Sequence, residues 1–169
     1  GLYWVAVLLS TVLAVQRAYA LEAADGVPDA LRLSGLDPAA VFLGKSAALA
    51  LQLLVLEALL LAGVAVLYTT ELAGPALLTA TCLAATVGLA AAGSLYGVLA
   101  AGLRVRETLL PLLLLPVVAP VLIGATRAFE AALAGAPGDG WPWCGLLAIF
   151  AAIYVAFGML AFGSLMEEL

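Results

Sequence analysis

Across five segments, Leu2–Gln16, Ser46–Tyr68, Pro75–Gly102, Leu109–Thr126 and Cys144–Gly163, the only Asp, Glu, Lys or Arg is Glu57. A helix that crosses a bilayer needs about 17–25 mostly apolar residues. The pattern therefore predicts five spanning helices, the first short. The whole chain is 66% hydrophobic and 10% charged, with a mean hydropathy of +1.23. A soluble domain is about 45–50% apolar and about 25% charged. This much apolar surface cannot be hidden in a core of 169 residues, so lipid must be the solvent. The fold class expected is all-α, a polytopic membrane helix bundle.

The runs are too many and too long for a signal peptide, whose apolar region spans about 7–15 residues. Gly1 lies inside an apolar run and is not Met. The expectation is that the chain starts partway through a longer protein.

Basic residues set the orientation. Arg17, Arg32 and Lys45 follow the first run, and Arg104 and Arg106 sit between the third and fourth. The turn after Tyr68 has no Lys or Arg, and the 127–142 loop has only Arg127. Positive charge stays cytoplasmic, while Asp and Glu contribute little. The long loop and the Arg104/Arg106 turn are then cytoplasmic, the start of the chain faces outward, and the C-terminus is cytoplasmic. Tyr3, Trp4, Tyr68, Trp141 and Trp143 fall at the expected outer boundary, where amphipathic rings anchor. An outward start fits a missing first span, giving five spans present of six.

The cytoplasmic segment 21–38 is more than a tether. Gly26 breaks the preceding helix, and Pro28 opens a short helix that ends at Gly35. Asp37 then N-caps a new helix with Pro38 in its first position, carrying the chain into the second span. Composition leaves two roles open, a docking element or a plain connector.

Gly44-Lys45-Ser46 invites a phosphate-loop reading. That motif needs a glycine five positions before Gly44 and a preceding strand. Ala39 stands there, so the reading is rejected. Lys45 is expected to snorkel to headgroups. Glu57, near the middle of the second span, is costly at that depth. It either lines a polar or proton-linked pathway or is neutral glue at a helix interface. Gly93 and Gly97 form a small-residue ridge for close helix packing, within one subunit or between two. Pro111, Pro116 and Pro120 in one span predict a broken or kinked helix, which lines a moving pathway or is simply packed that way. Residues 127–134 read as a short outer-face helix, with Arg127 and Glu130 as i,i+3 neighbours, and a turn returns the chain to the membrane at Trp141.

Cys82 and Cys144 lack CxxC spacing and leave a disulfide or two apolar cysteines open. There is no His, the commonest metal ligand and general base. No paired carboxylates, nucleophile–base pair or metal cluster is legible. The expectation is a chain that is not an enzyme, with no catalytic, cofactor or metal residues of its own.

Three stretches carry a resemblance. Leu2-Tyr-Trp-Val-Ala-Val-Leu-Leu-Ser-Thr-Val-Leu-Ala-Val-Gln-Arg resembles the second span of the CcmB family of cytochrome c maturation proteins. Gly44-Lys45 resembles the start of its next span. Gly93-Ser-Leu-Tyr-Gly through Gly102-Leu-Arg, then Leu109-Leu-Pro-Leu-Leu-Leu-Leu-Pro-Val-Val-Ala-Pro, resembles its most recognisable stretch. The similarity covers essentially the whole chain.

The resemblance implies a type-2 ABC exporter permease in the bacterial inner membrane, one domain over residues 1–169. It implies a separate ATPase subunit (CcmA) that holds the ATP, haem-handling subunits CcmC and CcmD, the haem chaperone CcmE, and a permease dimer. Haem is the possible cargo; the alternative output is release of the haem-loaded chaperone. Carried onto this chain, Arg17, Glu22, Asp25, Leu31, Arg32, Leu33 and Asp37 would form the ATPase-coupling surface. Glu57 and the three prolines would belong to a pathway or gate, and Arg127, Glu130 and Trp141 would meet partners outside. Two rival functions stand beside this one: an ATP-independent carrier with Glu57 as its proton site, and a scaffold that moves nothing.

Overall fold

The computed structural model describes residues 1–22, 30, 33–69, 71–101 and 105–167. Among these residues are five long helices, α1 (Leu2–Glu22), α2 (Pro38–Tyr68), α3 (Pro75–Ala101), α4 (Arg106–Leu133) and α5 (Pro137–Glu167). Each is long and apolar enough to cross a membrane. The architecture is an all-α multi-pass membrane bundle.

The helix ends follow local chemistry. Asp37 caps α2, its Oδ1 accepting from the Ala39 N–H at 3.3 Å, with Pro38 at the first position. The segment before it closes at Gly35 (φ 69°), after the Ser34 N–H donates to the Ala30 carbonyl at 3.0 Å. α4 ends in a Schellman closure. The Ala136 N–H bonds the Ala131 carbonyl at 3.0 Å, and the Gly135 N–H bonds that of Ala132 at 3.2 Å. Gly135 takes the left-handed φ of 76° that the motif requires, and Pro137 starts the next helix.

Several helices run past the apolar segments that announced them. α1 continues to Glu22 because Arg17 ends the hydrocarbon run without ending the helix; Ala18 and Ala20 are good helix formers. Residues 127–133 are the last turns of α4, not a separate outer-face helix. Nothing in Arg127-Ala-Phe-Glu-Ala-Ala-Leu breaks a helix before Gly135. The 127–142 region is therefore two helix ends joined by a tight turn.

The expected break in α4 is likewise absent. Pro111, Pro116 and Pro120 all sit inside one continuous helix. Each removes one N–H, and transmembrane helices tolerate this where the freed carbonyl finds another partner. The Glu107 carbonyl, deprived of its donor by Pro111, accepts instead from Gln16 Nε2 of α1 at 3.0 Å.

α3 is the hub. It packs against all four other helices, which touch one another in the order α1, α2, α5, α4 and back to α1. Small residues allow this: Ala90, Ala91, Ala92, Gly93 and Ser94 are all buried. A β-carbon on Gly97 would lie 2.5 Å from the Tyr19 ring and one on Gly93 would lie 2.8 Å from Val15, so the glycine ridge is the α1–α3 crossing inside one chain. α2 and α5 meet around Phe42 and Phe162, both fully buried with ring centroids 5.4 Å apart; a β-carbon on Gly158 would strike the Phe42 ring.

One end of the bundle gathers Gly1, Gly74 and the α4–α5 turn. Gly74 lies against Ala132 and Pro137, and Tyr3 stacks near Phe129 at 5.1 Å. The other end gathers Glu22, Pro38 and Arg106, with Gly163 against Pro38. Trp4 departs from its expected role as an interfacial anchor. It is 1% exposed and packs edge-on against Tyr3 and Phe129. α4 covers it, which no reading of α1 alone could anticipate. Tyr68 and Trp141 are exposed at that end.

Candidate functional site

Two regions concentrate polar chemistry. The first is buried where α1, α2 and α3 meet. Glu57 of α2 is 1% exposed. Its Oε1 accepts a 2.7 Å hydrogen bond from Thr86 Oγ1 of α3, and its Oε2 is buried without a partner. Tyr3 of α1 reaches the same spot. Its hydroxyl donates to the Glu57 backbone carbonyl at 3.3 Å and lies 3.7 Å from Cys82 Sγ. Three helices are thus tied through one acidic residue and a phenol. Cys82 and Cys144 are both buried free thiols.

The second region lies at the Pro38 end. Arg17 and Gln16 of α1, Tyr19, Gly97 of α3, and Glu107 and Leu110 of α4 line a cavity of about 390 Å³. Tyr19 donates its hydroxyl to the Ser94 carbonyl at 2.8 Å, which fixes its ring over Gly97. Lys45 does not simply reach for headgroups. Its Nζ lies 4.9 Å from the centre of the Tyr19 ring and 5.6 Å from that of Phe162, bridging α1 and α5 from α2.

The expected coupling residues are only partly in view. Asp25, Leu31 and Arg32 lie outside the described residues, as does the Glu22 side chain. Arg17, Leu33 and Asp37 are exposed, Leu33 at 87%, with Leu36 beside it at 58%. Leu33 and Leu36 are thus two exposed leucines just before α2, in the segment that Asp37 caps.

The expected pathway residues do not converge. Glu57 faces α1 and α3, whereas α4 lies across the hub from α2. Pro116 and Pro120 are exposed on the outside of α4, and Pro111 is half-buried. Arg127 Nη1 and Glu130 Oε2 pair at 3.4 Å on the surface, with 62% and 60% of their side chains exposed. Such a pair adds little stability. The sequence does not single out Gln16, Tyr19, Thr86 or Glu107, and it marks Tyr3 only as an interfacial anchor. Gln16 and Thr86 are polar residues inside apolar runs, which is the available signal, but their partners come from other helices.

With this geometry in place, the model of the CcmB protein family matches residues 1–167. The chain belongs to the CcmB family. No curated protein matches it. Membership in the CcmB family implies the membrane subunit of a cytochrome c maturation haem export system, associated with other components of that system. The five-helix bundle agrees with a multi-pass membrane subunit.

Proposed function

We propose that this chain is the permease subunit through which ATP hydrolysis on a separate ATPase (CcmA) rearranges membrane helices during haem delivery to c-type cytochromes. The output is haem export or release of the haem-loaded chaperone CcmE, with CcmC and CcmD in the same complex and a second permease copy beside this one. The membrane would be the bacterial inner membrane with the C-terminus cytoplasmic, and the catalytic work would reside on the ATPase.

Family membership across residues 1–167 carries this reading. The Pro38 end supports it. It bears Arg17, the exposed Leu33 and Leu36, and Asp37 at the entry to α2. A push on this segment passes directly into α2, because the Asp37 cap starts an uninterrupted helix to Tyr68. A movement of α2 is felt by α1 and α5 through Lys45, Phe42 and Phe162.

Affinity purification in mild detergent, followed by mass spectrometry, tests the proposal. The parent chain is expected to bring down an ATPase, and a Leu33→Asp/Leu36→Asp variant is expected to lose it while keeping its helix content. A well-folded parent that recovers no ATPase would overturn the reading. The burial of Glu57 favours one second reading, an ATP-independent carrier with Glu57 as its proton site. Function that persists when the partner ATPase is catalytically dead would favour that carrier.

A further inference from the structure

Among the described residues, Glu57 is a buried carboxyl group inside a membrane-crossing helix. The residue is 1% exposed, and the hydroxyl that bonds its carboxyl group belongs to Thr86, itself fully buried. The second oxygen has no hydrogen-bond partner. Among the described residues, Arg127 and Glu130 form an ion pair at the surface, and no ion pair includes Glu57. An unpaired carboxylate in hydrocarbon costs more than taking up a proton.

The neighbours do not change this. From α1 the facing titratable group is Tyr3, and from α3 it is Cys82. Neither carries positive charge. α5, the third helix packed on α2, meets it around Phe42, about 22 Å from Glu57 by helical rise. Sequence alone left open whether the residue serves a pathway or an interface. The geometry joins the two, since the group that must be neutral is also the group on which three helices close.

We propose that Glu57 is an intramembrane proton-binding site, and that the bound proton allows α1, α2 and α3 to close together in the Gly1 half of the bundle. With the proton bound, the carboxyl group is neutral, Thr86 satisfies one oxygen, and the interface stays dry. When the proton leaves, the anion requires more donors than Thr86 and the weak thiol donor of Cys82 supply. Water must enter, and Tyr3 and Thr86 part from α2. This property holds whether the chain works with an ATPase or without one.

The test uses the full chain in lipid nanodiscs and compares it with Glu57→Gln. Infrared spectroscopy at neutral pH is expected to show a carboxylic-acid C=O band in the parent that is missing from the variant. Gln is neutral and of similar size, so the variant is expected to fold with the parent's helix content and thermal stability. Raising the pH until the band vanishes is expected to speed backbone hydrogen exchange around Tyr3, Glu57 and Thr86 at least tenfold over Glu57→Gln at the same pH. Absence of the band, collapse of the Gln variant, or equal exchange in both chains once the band has gone would each overturn the proposal.

Discussion

Gln16 of α1 donates its side-chain amide to the Glu107 carbonyl of α4 at 3.0 Å, and that carbonyl is the one Pro111 leaves without a helical donor. A defect in one helix is thereby repaired by a side chain from another. The repair lies beside Arg17 in the cavity between α1, α3 and α4. It ties the proline-bearing helix to the helix that leads into the segment before α2.

This relationship predicts a non-additive pair. Gln16→Leu should cost about 0.5–1.5 kcal/mol, the range for one hydrogen bond. Pro111→Ala restores a backbone N–H to Glu107, so Gln16→Leu should cost almost nothing in that background. A double-mutant cycle by reversible unfolding in mixed micelles measures the coupling. Equal costs in the two backgrounds would show that the bond does not depend on the proline.

The α1–α3 crossing predicts a contrast between glycines. Gly97→Ala places a methyl group 2.5 Å from the Tyr19 ring and 2.9 Å from Val15, and must also strain the Tyr19–Ser94 bond. Overpacking of this kind costs about 1–3 kcal/mol. Gly44→Ala meets nothing within 4 Å on α2 and should be neutral or stabilising by up to about 1 kcal/mol. Thermal unfolding of the two variants, read side by side, checks this. A Gly97→Ala chain as stable as the parent would mean that α1 packs elsewhere.

Topology can be read chemically. Cys82 and Cys144 are buried, so they should react slowly with a maleimide that cannot cross membranes, and both should count as free thiols once the chain is unfolded without reductant. With both changed to Ala, Leu33→Cys and Tyr68→Cys place exposed thiols at opposite ends of the bundle. Tyr68→Cys should label in intact cells, and Leu33→Cys only after the cells are opened. The reverse pattern would invert the orientation drawn from Arg17, Arg32, Lys45, Arg104 and Arg106.

How far the sequence could be read depended on the kind of signal. Span number and helix type followed from runs that had to satisfy their own backbone in lipid, and α2 begins at Pro38 under the Asp37 cap because that chemistry is local. Helix ends are less legible where a charge closes the apolar run. Arg17 and Arg127 leave the apolar run but not the helix, so α1 and α4 extend past them. The proline triplet predicts a broken or kinked helix, and nothing in the sequence shows that Gln16 of another helix takes the carbonyl that Pro111 frees.

By itself the sequence determined a helical membrane chain with five spans among the described residues, its charge asymmetry from end to end, and the Asp37–Pro38 start of α2. The tertiary structure alone decided that α3 is the hub, that Trp4 is buried instead of anchoring at the interface, and that Gly93 and Gly97 face α1. It alone gave Glu57 its partners Thr86 and Tyr3. The reason lies in the solvent. In water a helix shows its packed face by an apolar stripe. In lipid the outward face is apolar as well, so the sequence says that a helix crosses the membrane without saying which side of it meets its neighbours.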